Sequence, residues 1–237
     1  MSSNKLDIEQ LRTNYPFLTK IWELHEEFER SVDDEDKRYR YENICKAKLG
    51  PTNMKYEKYV NFCIKLIRNL ISYYDYARVD TPSAERCKIL NYWIYYNIDD
   101  LNFSQKFISD IFKESQDLTI GYTNKSTCPN LYIETLKESE KILKLLYLQD
   151  NIKIFLKILK NKGDNDYCSC EKYIYECVDI YNSMSNSYCL KEDDRLNKQK
   201  KTCDTLNTFK DIYMNYLYNE EDMSNKIPSL IDDNTKI

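Results

Sequence analysis

Glycine and proline are scarce in this chain, three and five among 237 residues. A β-sandwich needs many tight turns with φ > 0, and a phosphate cradle needs a glycine-rich loop, so the scarcity argues against both. There is one histidine, which removes most multi-histidine metal sites. No G-x-S-x-G, Walker, H-E-x-x-H or Cys/His signature is present, and the reading is non-enzymatic with no cofactor and no small-molecule substrate. No run approaches the roughly 18 apolar residues needed to cross a bilayer. The start, Met1 to Gln10, is polar and has no apolar h-region, so no ordinary signal peptide is expected. Charge is mixed along the chain and sums to −4, which gives no general field for nucleic acid.

What is abundant is tyrosine, at 22 residues, within a 42% hydrophobic composition. That is too rich for disorder and enough for a sizeable core. Lys, Asn, Ile and Tyr are favoured over Gly, Pro, Ala and Arg, as an AT-rich genome would encode.

The few breakers punctuate a helical pattern. Gly50-Pro51 reads as a helix stop and Thr81-Pro82 as a start, with Glu85 in the first turn. Pro129 reads as another start and Gly163 to Asp166 as a turn. Between them apolar residues recur at three and four: Tyr56, Tyr59, Cys63, Leu66, Leu70 and Tyr74; Cys87, Leu90, Ile94, Ile98 and Leu101; Cys170, Ile174, Cys177, Tyr181 and Met184; Leu206, Phe209, Tyr213 and Leu217. Such steps line one helix face, which a neighbour must cover. Helices are predicted over 6–13, 16–31, 36–48, 53–77, 82–99, 104–116, 129–160 with a break near Asp150, 167–186 and 193–218. The fold class is all-α, a multi-helix bundle with short connections, disulfide-stapled and without sheet. Residues 1–12 read as a frayed N-terminus, 13–221 as one helical body and 222–237 as a flexible tail. The polar stretch 117–128 reads as the longest surface loop.

Nine cysteines are many for a cytosolic helical chain, and five fall within 168–203. They read as a disulfide framework of an oxidising compartment. Nine is odd, so at least one thiol is left over. The candidates are Cys87, Cys128, Cys168, Cys170, Cys177, Cys189 and Cys203. Cys170 and Cys177 share a helix face and are expected to staple it to Cys189 or Cys203; Cys87 and Cys128 are expected as partners. The spacing of Cys168, Cys170 and Cys177 does not suit a zinc knuckle. His25, beside Glu26 and Glu27, reads as part of a solvated helix face. The acidic run Asp33 to Asp36 reads as the cap of the next helix. Lys198, Lys200 and Lys201, downstream of Glu192, Asp193 and Asp194, read as a solvated face. Asn102-Phe103-Ser104 and Asn124-Lys125-Ser126 are glycosylation triplets of a kind common by chance in an Asn-rich chain.

The densest signal is Cys87 to Ile98, CKILNYWIYYNI. Tyr92, Trp93, Tyr95 and Tyr96 surround its apolar stripe, so the helix belongs in the centre of a bundle. Cys87, Leu90, Tyr92, Trp93, Ile94 and Tyr95 also match the Cys followed by L-x-Y-W-[ILV]-Y of the Plasmodium interspersed repeat (PIR) family, which includes the vivax interspersed repeat (VIR) proteins. Leu136 to Lys160 is similar to that family's central Leu/Lys/Tyr helix pair. Cys170 to Cys189 is similar to its C-x-x-[YF]-x-x-x-C-x-x-x-Y-[NK] run, and Cys203, Leu206, Phe209 and Tyr213 to its C-x-x-L-x-x-F segment. The resemblance covers most of residues 40–217. It implies the helical ectodomain of a variant antigen, exported by a malaria parasite to or near the infected red-cell surface, with roles in immune evasion or host-cell adhesion. The partners it implies are a host-cell receptor or antibody. Many members carry a transmembrane helix after the ectodomain, and this sequence stops before one. The alternative is an intracellular helical adaptor with reduced, buried cysteines.

Overall fold

The computed structural model describes residues 8–49, 56–75, 83–101, 104–118, 128–189 and 197–230. Gly50-Pro51, Thr81-Pro82, Asn102-Phe103, Asn124 to Ser126, Glu192 to Asp194 and most of the 117–128 loop lie outside them. Every regular element among the described residues is helical. They are α1 (Ile8–Asn14), α2 (Thr19–Glu29), α3 (Glu35–Leu49), α4 (Tyr56–Asp75), α5 (Ser83–Leu101), α6 (Gln105–Leu118), α7 (Ser139–Asp150), α8 (Ile152–Leu159), α9 (Tyr167–Tyr188) and α10 (Asn197–Tyr213). A 3₁₀ turn at Ile133–Thr135 precedes α7, and a π-helical turn at Met214–Tyr218 follows α10. The chain is all-α, as its periodicity predicts.

The starts follow local chemistry. The acidic run supplies Asp34, whose carboxylate accepts from the Lys37 amide at 3.0 Å and places negative charge at the start of α3. Ser104 accepts from the Phe107 amide at 3.2 Å and caps α6. In the Gly163 to Asp166 turn, Asn161 and Asp164 accept from the Gly163 and Asp166 amides at 3.2 and 3.0 Å.

The helix expected from Pro129 begins instead at Ser139. Tyr132 and Glu138 have φ of 49° and 45°, outside the helical region. The Leu131 amide donates to Asn91 of α5 rather than up a helix. The break at Asp150 is present: Asn151 sits between α7 and α8, its side chain donating to the Tyr147 carbonyl at 2.9 Å.

The chain divides into two compact units, Lys20–Ile133 and a second made of Met1–Thr19 with Glu134–Ile237. In the first, α4 packs against α3, α5 and α6. Its centre is Phe28, Leu66, Ile67, Trp93 and Ile111, none more than 1% exposed. In the second, α9 packs against α7, α8 and α10. Tyr147, Phe155, Tyr173, Ile174 and Tyr213 form its centre. The N-terminal segment docks there. The Tyr15 ring meets Tyr173 edge-on at 4.5 Å and Phe17 meets Phe155 at 5.2 Å. The Tyr15 hydroxyl and Lys144 ammonium both donate to Glu176, at 3.0 and 2.5 Å. The stretch expected to fray from residue 222 is instead packed as far as residue 230. Met223, Ile227 and Leu230 are buried, and Tyr213 donates to the Pro228 carbonyl at 2.7 Å.

Candidate functional site

No helix among the described residues is long and apolar enough to cross a membrane, and none of their His, Cys, Asp and Glu side chains group so as to hold a metal ion. The features that the sequence singled out are the aromatic segment and the sulfur atoms.

The aromatic segment forms most of α5. Leu90, Tyr92, Trp93, Ile94 and Tyr95 are all buried, and so is Tyr96. Burial on this many sides explains why the segment lacks one clean polar face. Trp93 stacks on Phe62 of α4 at 5.1 Å and meets Phe28 of α2 edge-on at 6.1 Å. Its indole N–H donates to Glu29 at 2.7 Å, giving the polar tip the partner it needs. These residues are core.

Within the same segment Asn91 acts as a backbone clasp that sequence reasoning missed. Its amide donates to the Cys87 and Pro129 carbonyls at 2.9 and 3.0 Å, and its oxygen accepts from the Leu131 amide at 2.8 Å. One buried side chain thus pairs a carbonyl and an amide of the irregular segment that precedes the 3₁₀ turn. An Asn amid Tyr, Trp and Ile was the available signal, because a buried amide must find partners.

The sulfur framework has three bridges. Cys87 and Cys128 are paired, with Cα atoms 5.4 Å apart. Cys189 and Cys203 are paired at 5.5 Å. Cys45 and Cys63 form the third, at 5.9 Å, joining α3 to α4. That last pair was not among the sequence candidates, since nothing in the sequence shows which helix faces Cys63. Cys168, Cys170 and Cys177 are free thiols, the first exposed and the others buried. The expectation that Cys170 and Cys177 staple α9 to Cys189 or Cys203 is therefore corrected. They lie within the core, near the Phe155 and Lys144 carbonyls at 3.7 and 3.8 Å, while Cys189 bonds Cys203. Burial pushes the Cys170 thiol up to about 12 and Cys177 strongly upward, so both are poor nucleophiles.

A second group of polar contacts in the first unit gathers at the end of α2. Arg68 of α4 donates to the carbonyls of Glu27, Phe28 and Arg30 at 3.2, 3.1 and 3.0 Å and to that of Ser31 at 3.4 Å. The neighbouring Asn69 donates to the Phe28 carbonyl at 3.1 Å. A cation and an amide thus occupy the carbonyl-rich, negative end of the helix. Glu29 accepts from Lys65 of α4 at 2.6 Å and from Trp93 and Asn97 of α5 at 2.7 and 3.4 Å. Burial pushes its carboxyl up, but these three donors outweigh it and hold it below the usual range.

His25 corrects the sequence reading. It is 5% exposed, one turn before Glu29, and its ring meets Tyr96 edge-on at 5.3 Å. Position 25 continues the apolar stripe Ile21, Trp22 and Phe28, a signal that the adjacent glutamates obscured.

On the exterior, a hollow of about 400 Å³ between α3 and α4 is lined by Arg38, Glu42, Lys46, Tyr56, Glu57 and Asn61, among others. Glu42 is engaged by Lys46 at 2.5 Å. A smaller hollow of about 250 Å³ shares Arg38 and Asn61 and extends to Val32. The charges of the larger hollow are mixed, which gives it no single-sign field to select an ionic ligand; the smaller one carries Arg38 and Lys65, and Lys65 is already paired with Glu29.

No family model, curated protein or solved structure matches this chain.

Proposed function

We propose that the chain is a non-enzymatic variant antigen of a malaria parasite, PIR-like, displayed at or near the infected red-cell surface and serving immune evasion or host-cell adhesion. The observation that carries this reading is the sulfur framework taken with the motif segment. Three bridges fix the two helical units, and such bridging suits an oxidising compartment. The residues that resemble the family's signature are core side chains of α5, and Cys87 of the same signature is bonded to Cys128. A covalently held interior of this kind leaves the exterior free to vary in sequence.

Two experiments test the reading. Peptide mapping of parasite-derived protein without reduction is expected to recover the three cross-links; nine free thiols would overturn it. Antibody labelling of unpermeabilised infected cells is expected to be positive. Labelling only after permeabilisation would favour the second reading, an intracellular helical adaptor, whose supporting observation is the pair of buried thiols Cys170 and Cys177.

A further inference from the structure

The core of the first unit holds the chain's one imidazole, and the imidazole nitrogen Nε2 is buried without a hydrogen-bond partner. In the unfolded chain water solvates that nitrogen, so folding leaves it worse off than its apolar neighbours. A proton there makes matters worse: it places an N–H cation in a low-dielectric site with nothing to accept from it. From α5 the ring is met by the edge of Tyr96. The ionic group whose field reaches it is Glu29, on the next turn of α2. That carboxylate is already taken, on one oxygen by Lys65 of α4 and on the other by Trp93 and Asn97 of α5. Arg86 of α5 is likewise committed, to Glu27. A charged His25 can be accommodated only by drawing Glu29 away from those donors or by admitting water, and either loosens α2 from α4 and α5.

We propose that His25 is a proton-operated latch: acidification charges the buried ring and unfastens α2 from the first unit. The sign follows from burial. Desolvation lowers the ring's pKa from 6.5 to about 4, outweighing the Glu29 carboxylate, which acts the other way. The unfolded chain therefore takes up the proton first. The latch is fully closed above the ordinary histidine pKa and weakens as pH falls from about 6.5 toward about 4.

The test uses the full chain with its bridges intact. Both tryptophans, Trp22 and Trp93, lie in the first unit, so their fluorescence reports its unfolding. Between pH 7.5 and 5 the unfolding constant of the wild type is expected to rise roughly thirtyfold more than that of His25→Gln or His25→Phe. Equal pH dependence in wild type and variants would overturn the proposal. Comparison with the variants removes the carboxylates that titrate in the same window. Because there is one histidine, its ring-proton NMR signal is a second readout that needs no variant. The folded chain is expected to show no titration near pH 6.5, and a titration there would also overturn the latch.

Discussion

Arg86 of α5 grips Glu27 of α2 with two parallel hydrogen bonds, of 2.9 and 2.7 Å. Its guanidinium also lies over the Phe28 ring, 4.9 Å from the centroid. The arginine side chain is 6% exposed and the glutamate 32%, so the pair bridges core and water. Replacing Arg86 with Met is expected to destabilise the first unit by about 3 kcal/mol, since one partner of a largely desolvated pair is lost. Arg86→Lys keeps the charge but not the fork or the stacking and is expected to lose more than half as much. Denaturant unfolding followed by tryptophan fluorescence measures both. The Arg86 hydrogen bonds hold the Glu27 carboxyl below the usual range. Their contribution is therefore full above the ordinary carboxylate pKa and fades as pH falls through the lowered value, and Arg86→Met is expected to flatten that acid limb.

Arg68 closes the end of α2 that Arg86 steadies from the side. Arg68→Ala removes hydrogen bonds to four backbone carbonyls and is expected to cost about 2 kcal/mol. Asn69→Ala removes two hydrogen bonds, the one it donates to the Phe28 carbonyl and the one it accepts from Arg68 Nε at 2.7 Å, and is expected to cost about 2 kcal/mol. Because both act on the Phe28 carbonyl, the double variant is expected to depart from the sum of the two. A thermal double-mutant cycle checks this.

Six cysteines are bridged and three are free, of which only Cys168 is exposed. A thiol reagent is expected to modify one cysteine in the native chain and three after denaturation without reduction. Cys168→Ser should abolish the native reaction and leave the melting midpoint unchanged. Mass spectrometry of the modified chain identifies the site.

Loop-closure arithmetic ranks the bridges. Separations of 18 and 14 residues correspond to about 3 kcal/mol each, and a separation of 41 to about 4 kcal/mol. Removal of the Cys87–Cys128 pair by double serine substitution is thus expected to lower stability most, as read from chemical denaturation.

Asn91 guards that same bridge. With Asn91→Ala the Pro129 carbonyl and Leu131 amide lose their partner, at an expected cost of about 2–3 kcal/mol. The stretch around Cys128 should open more often, and Cys87–Cys128 is expected to be reduced several-fold faster by dithiothreitol than in wild type. An unchanged reduction rate would show that the clasp does not protect the bridge.

The fold class was legible because its signal is local. Tyr56 to Tyr74 and Cys170 to Met184 carry a helical period that no other element accommodates, and Asp34 and Ser104 occur at the starts of α3 and α6 as caps must. What was illegible depends on which faces meet. Cys63 was visible on its stripe but its partner Cys45 was not. Cys170 and Cys177 were placed on one face correctly, yet that face looks into a core and not at another sulfur. The region after Pro129 was misread because its conformation is set by Asn91, about 40 positions earlier, and not by its own residues. The burial of His25 was hidden by the charged residues beside it, of which Glu27 is itself held by Arg86 of the same helix that supplies Tyr96.

The second unit is assembled from both flanks of the first, and this dictates an order of events during synthesis. Tyr15 and Phe17 leave the ribosome early, but the rings they nest against, Tyr173 and Phe155, are made more than a hundred residues later. At about 5–20 residues per second that wait lasts on the order of ten seconds. Through it the leading segment stays undocked while the intervening helices are free to form, so the nascent chain must finish its middle before it can close around its own beginning.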